Sequence, residues 1–214
     1  LAAANLPRAI KAAFDLSASL RQGSWFSTSR PRAFAQAFAA QLKSLKSDKV
    51  AQALYDDLIT SPRASQHETA NLYIAPLDGK LVKGEEAFIS KYFRVLAQKG
   101  GIFTAPLRMG QRAYVTMLNE LRAGVFDEIV GAWEREGKAI TDQDLVELGR
   151  YINVATGRGT LPRIAGPRAT AILNSMFFSP RFVESRFEIA RALMSPSAKV
   201  RREAWHDFVR YASP

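Results

Sequence analysis

Arginine recurs at Arg158, Arg163, Arg168, Arg181 and Arg186 within one stretch of chain, with no lysine among them. A guanidinium is a fixed fork of donors suited to phosphate or carboxylate. Arg181 and Glu184 stand three apart, as do Glu188 and Arg191, so these charges can pair within a helix. Arg158, Arg163 and Arg168 have no acid close in sequence and are the better candidates for an acidic partner, DNA or protein. Arg30 and Arg32 form a second candidate pair of the same kind. Beside them Trp25 and Phe26 read as a contact with another chain, or as rings docked on this chain's own helices.

Other chemistry-bearing patterns have plainer structural readings. Gly157-Arg158-Gly159 is followed by no Lys-Ser/Thr and is preceded by a helical pattern, so it fits a glycine C-cap better than a phosphate loop. The two histidines, His67 and His206, are too few for a metal set, His206 and the adjacent Asp207 point to different faces of a helix, and no metal or other cofactor is expected. Asp56-Asp57, Glu85-Glu86, Asp127-Glu128 and Asp142/Asp144 suit helix starts or solvated faces better than an acid–base pair. No nucleophile-elbow motif is present, and the absence of cysteine excludes thiolate chemistry and disulfides. Phe177-Phe178 before Ser179-Pro180 fits a staple between two helices better than a base-stacking platform.

The net charge of +10 is unevenly spread. Residues 1–50 carry eight Lys/Arg against two Asp, whereas residues 111–150 carry five against eight acids. Residues 151–191 are basic again, with six Arg against two Glu. Basic ends around an acidic middle favour a polyanion, or acidic neighbours in an assembly.

The elements that must position these residues are helices throughout. Residues 5–14 read as a helix, followed by a break or loop through Asp15-Leu16-Ser17 and Gly23-Ser24. In residues 31–46, Phe34, Phe38, Leu42 and Leu45 form one apolar stripe. Residues 49–60 follow, capped by Asp48. Residues 61–83 are irregular, with a short helix around ASQHETANLYI. Residues 84–98 return to helix. The longest pattern spans 108–136 through Tyr114, Met117, Leu118, Leu121, Val125, Ile129 and Trp133, with Asn119, Arg122 and Glu128 on its polar side and Gly137 as its stop. Thr141 caps 141–156, and three more helices are predicted at 164–176, 179–194 and 197–212, the last two opened by Ser-Pro pairs. The expected architecture is all-α, an irregular bundle of eight to ten helices in one continuous domain, with 1–105 and 106–214 as its two parts.

Four stretches together carry a resemblance: NLPRAIKAAFDLSASLRQG, QRAYVTMLNELRAGVFDEIV, INVATGRG at 152–159 and LNSMFFSPRF at 173–182. Over residues 5–190 they resemble the C-terminal region of large polyvalent (PLxRFG-type) phage and prophage proteins. The resemblance implies a non-enzymatic internal or ejection protein carried in the virion and delivered to the host on infection. Its implied partners are copies of itself, portal or tail proteins, double-stranded DNA, and a membrane met during ejection, with no small-molecule substrate. Leu1 in place of a start methionine agrees with a piece of a longer chain. Two alternatives remain: a purely protein-binding module of a portal or tail complex, and an accessory domain of a nucleic-acid or cell-wall enzyme.

Overall fold

Thr104–Arg135 form one helix of 32 residues, and four of the other helices pack directly against it. A computed structural model describes residues 17–77, 104–158 and 188–213. In chain order the helices are α1 (Ser17–Ser29), α2 (Pro31–Ser44), α3 (Asp48–Ile59), α4 (Ala64–Thr69), α5 (Thr104–Arg135), α6 (Asp142–Ala155) and α7 (Ala198–Ala212). Residues 188–192 are helical as well. The protein is all-α, and among the described residues there is no strand. The expected helices at 5–14, 84–98 and 164–176 lie outside the described residues.

The core lies along α5. Met117, Leu121, Val125, Phe126, Ile129 and Trp133 are buried there with Leu145, Leu148 and Ile152 of α6. α2 makes the most extensive pairing with α5. It does so through Ala33, Ala37, Ala40, Gln41 and Ser44 rather than through the expected Phe34/Phe38/Leu42/Leu45 stripe. Phe34 and Phe38 are half-buried and Leu42 is exposed. Small residues win this face because they let two backbones approach: a Cβ on Gly124 of α5 would already touch Ala33 at 3.5 Å.

Asp15 and Leu16 lie outside the described residues, and the expected break at Ser17 and at Gly23-Ser24 is instead part of α1. Gly23 lies within it because a Cβ there would press on the Phe34 ring at 2.8 Å. The helix stops follow the expected chemistry. Gly157 has φ +88°. Its N–H bonds to Val154 O at 2.9 Å, and the N–H of Arg158 reaches back to Asn153 O at 2.9 Å, the pattern of a left-handed glycine cap. Gly137, with φ +66°, ends α5 in the same way. Thr141 caps α6 in a reciprocal box with Asp144. Two expected caps shift by a residue or two. Ser47, not Asp48, accepts from Val50 N at the start of α3, and Ser197, not Ser195, caps α7. Ser195 is buried and donates to Glu147 at 3.0 Å.

The described part of the irregular region resolves into α4, a turn at Asn71 with φ +50°, and a segment without regular structure, 72–77. Side-chain amides bond its backbone. Asn119 Oδ1 accepts from Ala75 N at 2.9 Å, and its Nδ2 donates to Ala75 O at 2.8 Å. Asn153 does the same for Tyr73 N and Asn71 O, both at 2.9 Å. Arg122 donates to Tyr73 O at 3.2 Å and to Thr156 Oγ1 at 2.9 Å. Asn119 and Arg122 are therefore fully enclosed rather than on a solvated side of α5. A segment without regular structure carries free N–H and C=O groups, and burying them requires such partners.

Candidate functional site

Among the described residues, the densest cluster of chemistry-bearing groups lies where the α1–α2 junction meets α5, α6 and α7. Arg30 is the single residue between α1 and α2, and its guanidinium is buried. Its Nε donates to Asp207 Oδ1 at 3.0 Å, one terminal nitrogen to Glu203 Oε2 at 2.8 Å, and the other reaches Glu128 Oε1 at 3.5 Å. Asp207 Oδ2 accepts the Tyr151 hydroxyl at 2.8 Å, and that hydroxyl accepts Trp25 Nε1–H at 2.8 Å. Glu203 Oε1 accepts Trp133 Nε1–H at 3.1 Å and Arg202 at 3.3 Å.

The electrostatics follow from this enclosure. Burial opposes the charge on Arg30, but Asp207 and Glu203 more than offset it and raise its pKa. Burial opposes ionisation of Glu203, yet hydrogen bonds from Arg30 and Trp133 pull its pKa below the usual carboxylate value. The Tyr151 hydroxyl is pushed well above its ordinary pKa by burial and then by the Asp207 carboxylate, so it stays neutral. Both oxygens of both carboxylates accept bonds from groups fixed on other helices. This geometry can hold four elements together and keeps its donors and acceptors occupied.

A second polar knot joins the starts of α6 and α7. Asp144 accepts from Lys199 Nζ and Ser197 Oγ, each at 2.7 Å, besides capping with Thr141. Burial works against its charge, but the bonds from Lys199, Ser197 and Thr141 outweigh burial and hold it far below the carboxylate range. His67 Nε2 lies 2.8 Å from Asp127 Oδ1, with its ring edge-on to Phe126 at 5.1 Å. Arg112 donates to the carbonyls of Ser44 and Leu45 and pairs with Asp48, closing the C-terminus of α2. Among the described residues no group of histidines and acids could hold a metal ion, and no helix is long and apolar enough to cross a membrane.

Several candidate residues sit elsewhere than the sequence suggested. Of the two readings of Trp25 and Phe26, docking on this chain's own helices is the one found, not a surface contact. They are buried in the core, Phe26 edge-on to Tyr151 at 6.0 Å. α1 carries them inward because it is a helix and not a loop. Arg30 does not face an external partner, since its donors are directed at Asp207, Glu203 and Glu128. Arg32 is exposed. Arg158 is half-buried with its guanidinium 3.1 Å from the centre of the Tyr73 ring. Arg163 and Arg168 lie outside the described residues. The expected Glu188–Arg191 pair stands at 4.0 Å.

The sequence reading missed the division of α7. Its expected apolar residues were Val200, Trp205, Phe208, Val209 and Tyr211, but only Val200 of these is buried, with Ala204, while Tyr211 and Phe208 lie 4.9 and 6.3 Å from the buried Trp25 ring. Glu203 and Asp207 take the rest of the inner side. Trp205, Phe208, Val209 and Tyr211 are exposed, together with Arg201, Arg202, His206 and Arg210. The available signal was the spacing of Glu203 and Asp207, four apart and close in azimuth to Val200 and Ala204.

No family model matches this chain, and neither a curated protein nor a solved structure does.

Proposed function

We propose that this chain is a non-enzymatic helical assembly module of a phage virion-associated protein of the internal or ejection type, working beside packaged or ejected DNA. The observation that supports a structural role is the Arg30–Glu203–Asp207–Tyr151 clamp. Its charged groups are engaged with one another across helices far apart in sequence. The outward cations support a polyanionic or acidic neighbour: Arg32, Lys43, Lys46 and Lys49 near one end, Arg201, Arg202 and Arg210 near the other. The resemblance to polyvalent phage proteins supplies the virion setting.

The test is duplex DNA binding by the whole chain at rising salt, with light scattering on the same samples. Binding that falls steeply with salt, and weakens when Arg32, Arg158, Arg163 and Arg168 become Ala, is the expected result. No binding at low salt overturns the DNA part, and a strict monomer overturns self-assembly. Detection of the chain in purified particles by mass spectrometry tests the virion placement.

A second reading, docking to acidic surfaces of a portal or tail complex without DNA, is favoured by the outward face of α7.

A further inference from the structure

α7 buries Val200, Glu203, Ala204 and Asp207 against the body. Beside that inner side, Trp205, Phe208, Val209 and Ala212 fall at i, i+3, i+4 and i+7 and form one stripe. This is the spacing with which one helix packs on another. Val209 is 55% exposed and Trp205 48% exposed. The rings are held in place. Trp205 Nε1–H donates to Leu193 O at 3.2 Å, and Phe208 meets the indole edge-on at 5.7 Å and 89°. Phe208 also lies 6.3 Å from the buried Trp25 ring. Rings already fixed lose little freedom when a partner covers them.

Arginines stand beside the apolar stripe. Arg201 and Arg210 are exposed there, and Arg202, also exposed, is already paired with Glu136 at 3.2 Å and Glu203 at 3.3 Å. No acid of α7 faces out with them, because Glu203 and Asp207 are both bonded into the clamp.

We infer that this face docks an amphipathic helix of a partner protein whose apolar stripe is bordered by Asp and Glu. Charge decides the partner. A second copy offering the same face would set arginine against arginine in a chain of net charge +10. Nucleic acid would need rings open to stacking, but Phe208 stands edge-on to Trp205, and Val209 and the neighbouring Met194 are aliphatic. The inference rests on the assembly reading and adds to it the surface and the partner's chemistry.

The whole chain is titrated with a synthetic helix of about 20 residues bearing Leu at helical spacing and Glu on its flanks, long enough to cover the stripe. A Lys-flanked twin, phosphatidylglycerol vesicles and single-stranded DNA are titrated in parallel. Trp205 emission is the readout, with Trp205→Phe as the control. The Glu-flanked peptide is expected to shift the emission to the blue and saturate, and the Lys-flanked twin to do neither. Val209→Asp is expected to weaken binding by about tenfold or more with thermal unfolding unchanged. Should Val209→Asp lower the unfolding midpoint, Arg210→Glu carries the test instead: it weakens the Glu-flanked peptide and improves the Lys-flanked one. The inference is overturned if vesicles or DNA saturate the shift while the Glu-flanked peptide does not. It is also overturned if no probe shifts Trp205, or if the folded variants bind like the parent. Self-assembly and presence in particles are read separately, so loss of this face leaves the assembly reading standing.

Discussion

Arg30 and Asp207 lie 177 positions apart in sequence, yet Nε of one is 3.0 Å from Oδ1 of the other with both side chains buried. The pair ties the α1–α2 junction to the last helix. Removing one partner leaves the other charge enclosed without compensation, at a cost of about 3–5 kcal/mol. Arg30→Met should therefore lose about that much in urea unfolding, because Asp207 and Glu203 stay in place. Combining it with Asp207→Leu and Glu203→Gln should recover part of the loss. A loss for Arg30→Met below about 1 kcal/mol, the scale of an exposed pair, would show that the clamp does not hold the fold.

Acid should loosen the same region. Asp144 and Glu203 both have folded pKa values below their ordinary ones, despite burial, because Lys199, Ser197 and Thr141 bond the first and Arg30 and Trp133 the second. A depressed carboxylate stabilises the fold above its unfolded pKa, about 4, and that stabilisation is lost as pH falls toward the folded value. Thermal unfolding measured stepwise should be flat near neutrality and decline below about pH 4. Asp144→Asn should be less stable at neutral pH and show a shallower acid decline. An equally steep decline in that variant would remove Asp144 from the account.

Gly149 is a packing requirement. A Cβ there would collide with the carbonyl oxygen of Ala70 and lie 2.9 Å from its carbon. Backbone cannot rotate away as a side chain can, so Gly149→Ala should cost about 1–3 kcal/mol or more. At Gly23 the near atoms are side-chain ends of Phe34, Met117 and Leu121, which can adjust. Gly23→Ala should be the milder change in a side-by-side urea titration, and the reverse order would contradict the packing described.

Asn119 and Asn153 bond the main chain of residues 71–77 through their side chains. Asn119→Leu removes both bonds to Ala75 and leaves its buried N–H and C=O unsatisfied, at about 1–3 kcal/mol. Amide exchange at Ala75 should accelerate, while Leu148 and Ile152 keep their protection. Unchanged exchange at Ala75 would mean that the asparagine does not hold the segment.

Much of the local structure was legible from residue types. The cap at Thr141 and the glycine stops at Gly137 and Gly157 depend on backbone geometry within a few residues, so sequence specifies them. The buried stripe of α5 from Met117 to Trp133 is dense enough that its period settles its inner side. Less was legible where two faces compete. In α2 the larger residues suggested the Phe34 face, but close approach to α5 selects the alanines. Asn119 and Arg122 read as solvent-facing because their partners, the main chain at Tyr73 and Ala75, lie more than 40 positions away.

The sequence by itself determined that this protein is helical, that α5 and α6 stop at Gly137 and Gly157, and that its charge is basic at the ends. Those properties follow from propensity, capping and composition, which act within a few residues. Only the tertiary structure decided what α7 turns inward. By hydropathy Trp205, Phe208 and Val209 belong in a core, and Glu203 and Asp207 outside. A buried guanidinium 173 and 177 positions away reverses that order, because Arg30 needs carboxylates beside it more than the core needs another ring.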